Sequence, residues 1–238
     1  MGGLCRAGDF VAWSKGGKKQ HPRIHVLIDF QRNLILLTPP KCGTVTLHQE
    51  LPRFGATPTF GQQFDGGNGE HTIHLPGDAW AAIERFRIAV VVRNPYTRAT
   101  SLYGHYRRYW QAPYLPFPEF LARIVAAPRH LFFNATISSM LSPLEHPLDG
   151  RRPLPVTHHV RLECLADDLK RLGYPIATAL PRAHALPHES LAAYTPQARD
   201  LVALWGLHDF ERFGYRLDLA AAEEPGRDGI GGTAASRG

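Results

Sequence analysis

The sequence predicts an α/β protein of three layers, with helices on both sides of a central, mostly parallel sheet. Short apolar runs alternate with stretches of helical character along the 238 residues, the order that builds strand–helix–strand units. Residues 88–92, Ile-Ala-Val-Val-Val, contain no polar side chain, as in a strand covered on both faces of a parallel sheet. With 44% hydrophobic and 20% charged residues, the composition is globular and lies outside the disordered and fibrous classes.

The elements follow in order. Residues 24–30 and 34–38 are the first two strands, and Gln31, Arg32 and Asn33 between them suit a hairpin. A helix over 44–52 comes next. Residues 54–69, ending in Gly66-Gly67-Asn68-Gly69, read as a loop. A helix over 77–85 leads into the strand at 88–92. The helix over 95–110 starts with Asn94 as N-cap and Pro95 at its first position. Residues 113–155 read as loop around one helix at 117–127, and 146–155 is proline-rich. A weaker strand over 157–163 and helices over 165–172 and 196–213 complete the set. The tail at 223–238 is Gly, Ala and charge and is expected to be disordered, which leaves one domain over 1–222.

Several classes are excluded by composition. No apolar run approaches the roughly 18 residues a membrane span needs. Residues 1–17 hold polar and charged groups where a secretory signal would be apolar. Cys5, Cys42 and Cys164 are too scattered for a disulfide framework, and no CxxC pair suggests structural zinc. The expected setting is therefore cytoplasmic. The formal charge is +6, with six arginines and no acidic residue in 85–118. Residues 1–23 add five basic groups against Asp9 alone. Such an excess draws anions, although a solvated arginine-rich surface has the same composition.

Two segments carry anion chemistry. In the first, the strand Leu34-Ile-Leu-Leu-Thr runs through Pro-Pro into Lys41-Cys42-Gly43-Thr44-Val45-Thr46 at a helix start. Free N–H groups at a helix start attract an oxyanion, and Gly43 lets the backbone come close to it. Lys41 adds a mobile charge, and Thr44 and Thr46 add hydroxyls. In a Walker A loop the lysine follows the glycines and a Ser or Thr follows it to hold magnesium. Here Lys41 precedes Gly43, an order that suits a lysine reaching the bridging oxygen of an anhydride without a metal. In the second segment, Arg93 stands at the end of the 88–92 strand, and Asn94, Arg98, Ser101 and His105 share one face of the following helix. Arg93 and Ser101 can grip one phosphate, by a charged fork and by a hydroxyl. Arg98 fits either this site or a helix-surface salt bridge.

Pro-Lys-Cys-Gly-Thr followed about 50 residues later by Arg-x7-Ser resembles the sulfotransferases that use 3′-phosphoadenosine 5′-phosphosulfate (PAPS), and Arg93-Asn-Pro-Tyr-Thr-Arg98 is closest to the branch with many carbohydrate and bacterial enzymes. Val160-Arg161-Leu162-Glu163 with Asp167-Asp168-Leu169, and Asp209-Phe210 with Phe213-Gly214-Tyr215, extend the similarity over about residues 24–219. The resemblance implies a P-loop-like sulfotransferase fold. It also implies that Lys41, Cys42, Gly43, Thr44, Val45 and Thr46 bind the 5′-phosphosulfate, and that Arg93 and Ser101 bind the 3′-phosphate. Cys42 and Val45 depart from it, since hydroxyl residues are common at those places. The implied co-substrate is PAPS and the product adenosine 3′,5′-bisphosphate, with no metal. The acceptor is a hydroxyl on a carbohydrate or another small metabolite, an anionic one if the positive field extends to it, and nucleic acid is not the expected partner. Oligomeric state stays open.

Transfer of a sulfuryl group to an alcohol needs a base, and histidine serves near neutral pH. Of 13 histidines, His74 stands in a His-Leu-Pro similar to the one that carries the base in cytosolic sulfotransferases, although the lysine usual two residues earlier is Thr72 here. His74 and Lys41 are thus the expected catalytic pair. His71, His48 and Glu50 rank behind, a His71/His74 metal pair lacks a third ligand, and His158 and His159 sit in or beside a strand. Phe132, Phe133, Trp205 and Tyr215 are the aromatics available for adenine. Two rivals remain: a nucleotide-dependent phosphotransferase, and a non-catalytic binder of nucleic acid or acidic polysaccharide. The binder would use Tyr103, Tyr106, Tyr109 and Trp110, interleaved with arginines.

Overall fold

A hairpin opens the described part of the chain, which in this computed structural model comprises residues 23–64, 71–72, 83–109, 115–126, 134–145, 154–176, 180, 191 and 194–222. Strands β1 (Arg23–Asp29) and β2 (Leu34–Thr38) pair antiparallel with Asp29 opposite Leu34. The reversal uses Asn33 in the left-handed region at φ 47°, which asparagine tolerates. Buried Asp29 closes it by accepting the Arg32 N–H and pairing with the Arg32 guanidinium at 2.8 Å.

Strand β5 (Arg87–Val92) lies parallel beside β2, and β6 (His158–Arg161) lies parallel beside β5. On the other flank β3 (Thr57–Phe64) runs antiparallel to β1, and the two-residue β4 (His71–Thr72) runs antiparallel to β3. The order is β4-β3-β1-β2-β5-β6. The α/β class holds, but the sheet is mixed rather than mostly parallel: two of its five pairings are parallel. The cause is local. Helix α1 (Thr44–Glu50) continues into a 3-10 turn, Leu51–Phe54, and Gly55 at φ 98° turns the chain back along β1. Residues read as loop from 54 onward therefore include β3.

Helices α2 (Pro95–Tyr109), α3 (Phe117–Ala126), α5 (Leu165–Arg171) and α6 (Pro196–Phe213) lie where the sequence predicts them, to within a residue or so at the ends. The N-cap of α2 forms as expected, with Asn94 Oδ1 accepting the Tyr96 N–H at 2.9 Å. Helix α4 (Ile137–Glu145) was not expected, because three serines and Pro143 within nine residues weaken the local helix signal. It forms because Asp209 of α6 caps it, one carboxylate oxygen accepting the Ile137 N–H (2.9 Å) and the other the Ser138 N–H (2.7 Å). The expected helix over 77–85 is described only from 83, where Ile83–Arg85 form a 3-10 turn.

All five residues of β2 are buried, so the centre of the sheet is covered on both faces. The core joins β1, β2 and β5 to Tyr96, Tyr106, Phe120, Trp205 and Phe210. Because β2, β5 and β6 run the same way, Thr38, Val92 and Arg161 end side by side, and it is outside such carboxyl ends that α/β sheets bind ligands.

Candidate functional site

The loop after β2 is built to expose its backbone. Lys41 and Gly43 have positive φ, 67° and 76°, and Cys42 between them does not. Such alternation points successive N–H groups to one side, as in an anion nest. The first helical bond of α1 runs from the Leu47 N–H to Gly43 O at 3.1 Å, and no side chain caps the helix. The N–H groups of Gly43, Thr44 and Val45 therefore have no partner among the described residues. A Cβ at Gly43 would lie 2.7 Å from Leu162 Cδ1, so glycine serves both the backbone angle and the close packing on the β6 side.

The six predicted residues of this segment divide by role. Lys41 is half-buried, and burial together with the adjacent Arg93 charge holds its ammonium at about 8, far below a free lysine. Cys42 is buried, its thiol points at Pro40 O, and burial pushes it up to about 12, so it packs the loop and does not react. Thr44 turns its hydroxyl inward to Pro39 O at 3.1 Å, leaving its N–H outward. Thr46 is buried, and Val45 is 43% exposed.

The second segment meets the first. Arg93, just past β5, donates from Nη1 to Lys41 O at 3.1 Å and from Nε to Thr97 Oγ1 at 3.1 Å. Residues 52 positions apart are thus joined by one hydrogen bond. Ser101 lies two turns along α2 and is half-buried. Glu163, after β6, clamps the junction: it accepts the Asn94 N–H at 2.8 Å and the Tyr215 hydroxyl at 3.0 Å. The sequence placed Glu163 in a similar segment but assigned it no role.

Arg98 is not a surface residue. It is 1% exposed, and its guanidinium lies 5.2 Å from the centre of the Trp205 ring. Its Nη2 donates to Ala135 O at 3.0 Å and its Nε to Pro40 O at 3.4 Å. Its Nη1 has no partner, and no carboxylate pairs with it among the described residues. An unmet buried donor costs about 1–3 kcal/mol, and a buried charge without a counter-ion costs more.

His74, the expected base, lies outside the described residues. His71 falls in β4, opposite Phe64 of β3. His48 lies beside Thr38 and makes an edge contact with His25, ring centres 5.4 Å apart, and burial lowers it to about 4. Glu50 pairs with Arg53 at 2.8 Å. His105, absent from the ranking of bases, shares a face of α2 with Arg98 and Ser101. Burial and then the Lys41 charge lower it to about 4. The three- and four-residue spacing from Arg98 was the signal for it.

The aromatics largely belong to the core. Trp205 donates from its ring N–H to Asn134 O, and Tyr215 is held by Glu163; Phe132 and Phe133 lie outside the described residues. Tyr103 and Tyr106 are buried and stacked, which takes two of the four aromatics of the nucleic-acid reading off the surface; Tyr109 is exposed and Trp110 lies outside the described residues. No group of three or more metal-ligating side chains occurs among the described residues, and none of their helices is long and apolar enough to cross a membrane. No family model, no curated protein and no solved structure matches the chain, so its function is read from the site itself.

Proposed function

We propose that the protein is a sulfotransferase that moves the sulfuryl group of PAPS to a hydroxyl of an acceptor, a carbohydrate or another small metabolite. The observation that carries this reading is the convergence of Lys41 and Arg93 at the ends of two adjacent parallel strands, beside a row of unspent N–H groups. Three cations, Lys41, Arg93 and Arg98, share this corner, and an anion with two separated charged groups answers them. PAPS has such groups at its 5′ and 3′ positions.

In the proposed reaction the acceptor oxygen attacks sulfur in line. The bond from sulfur to the bridging oxygen of the 5′-phosphate breaks, and adenosine 3′,5′-bisphosphate leaves. Lys41 and the loop N–H groups meet the charge that grows on that oxygen. Arg93 and Ser101 hold the 3′-phosphate, and His74 takes the acceptor's proton. No step calls on a metal.

Equilibrium titration with adenosine 3′,5′-bisphosphate and with ATP is the first test, followed by transfer of labelled sulfuryl to a panel of hydroxylated acceptors. Tighter binding of the bisphosphate and label on an acceptor are expected. Preference for ATP with magnesium would turn the reading to a phosphotransferase, and indifference to both nucleotides would overturn it.

A further inference from the structure

We infer that Arg98 is a buried cation whose counter-ion is the bound anion, so that its charge holds and electrifies the loop from beneath without touching ligand. The inference rests on the reading that the loop at residues 39–45 holds a phosphate-type group, and it adds a positioning residue to that site.

The geometry is specific. Arg98 reaches from α2 to two separate carbonyls, Pro40 O of the loop and Ala135 O of the segment before α4. It thereby ties the loop to the α4–α6 unit, where Asp209 secures the next two residues after Thr136. Both Asp209 oxygens are engaged with those N–H groups, and Glu163 is engaged with Asn94 and Tyr215. The Trp205 ring face offers only partial compensation. Nη1 is shut off from solvent and has no partner among the described residues, so a ligand meets this charge through the loop. In the folded interior such a charge acts at longer range than it would in water. Among the described residues Lys41, Arg93 and Cys42 interact electrostatically with it, and the carboxylates Glu163 and Asp209 act on Cys42 from the same neighbourhood.

A charge kept buried with no carboxylate in contact among the described residues is a cost to the empty protein and a gain to the occupied one. Arg98→Met keeps length and apolar contact but removes the charge. Arg98→Lys keeps the charge but loses the fork. With adenosine 3′,5′-bisphosphate as ligand, Arg98→Met should bind at least tenfold more weakly and show a shallower dependence of log affinity on log salt, while Lys41, followed by NMR in the ligand-free protein, titrates at a higher pH. Arg98→Lys should stay within about threefold of the wild type in affinity with an unchanged salt slope, even if its melting temperature falls. Wild-type affinity and an unmoved Lys41 titration in Arg98→Met would reduce Arg98 to a structural pin and overturn the inference while leaving the functional reading intact. If Arg98→Met does not fold, Arg98→Lys decides, because a tenfold loss there would deny that charge is what matters. If the wild type binds neither the bisphosphate nor inorganic pyrophosphate, the functional reading fails first, and the inference fails with it.

Discussion

Lys41 is held at about 8 by burial and by Arg93, so it titrates within the working range of an enzyme. It carries its charge below that value and loses it as pH rises through it. If it stabilises the leaving oxygen, kcat/KM, which reports the free protein, should fall on the alkaline side with an apparent pKa near 8. A profile flat to pH 9.5 would remove Lys41 from the chemistry. The linkage to stability has a definite sign. A lysine in the unfolded chain titrates near 10.4, so between about 8 and that value the unfolded state binds more protons. The ligand-free protein should therefore gain stability from this group as pH rises across that window. Arg93 donates to the carbonyl of Lys41, and in the proposed reaction it also holds the 3′-phosphate. Arg93→Ala should weaken the bisphosphate by about 1.5–3 kcal/mol, the range for hydrogen bonds from a charged group, and should weaken a 5′-monophosphate less, through the loop alone. Equal losses in calorimetric titrations of the two would show that Arg93 does not read the 3′-phosphate. His74→Asn retains a polar side chain that cannot take a proton; its turnover should drop by roughly 10²–10⁴-fold with nucleotide affinity kept. If most of the activity survives, the base is elsewhere, and His105, which faces Lys41, is then tested ahead of His71 and His48.

At the scale of elements, the loop between β2 and α1 depends on one backbone angle and one contact. Gly43→Ala puts a side chain at φ 76° and 2.7 Å from Leu162 Cδ1. The left-handed angle alone costs about 1–2 kcal/mol, and the nest is distorted with it. A lower urea midpoint together with weaker bisphosphate binding is expected, and Leu162→Ala in the same chain should recover part of the stability but not the angle. Unchanged binding in Gly43→Ala would mean that the alternating backbone is not the cradle. Much of this was legible beforehand: the strand, the turn, the glycine and the helix start occupy consecutive residues, and local sequence dictates local geometry. Helix α4 was not legible, because its cap is Asp209, 71 residues away in the case of Ser138. The burial of Arg98 was undecidable for the same reason: its carbonyl partners are 58 and 37 residues distant.

At the scale of the whole molecule, the three like charges in one corner make the proposed nucleotide, once bound, part of the stability. A nucleotide that binds only the folded form adds about 2.7 kcal/mol at a hundredfold excess over Kd. For a chain of this size that is a rise in melting temperature of roughly 5–10 °C. Adenosine 3′,5′-bisphosphate should produce it in differential scanning calorimetry, and the rise should shrink as salt screens the attraction. A shift that does not respond to salt would deny the charge cluster its part.

What the sequence determined by itself was whatever neighbours in the chain can settle: the apolar runs of β2 and β5, the cap of α2, the turn that holds Lys41 and Gly43, and the helical face that carries Arg98, Ser101 and His105. The polarity of the sheet was decided only in three dimensions. β3 and β4 carry no strong strand signal of their own and take their direction from β1, to which the chain returns after Gly55. The hydrogen bond between Arg93 and Lys41 O, the clamp of Glu163 on Asn94 and the enclosure of Arg98 were likewise tertiary decisions. The physical reason is common to all of them. A residue's rotation and hydrogen bonding to its near neighbours are set by the chain, whereas its burial and its charge environment depend on which distant segments pack over it.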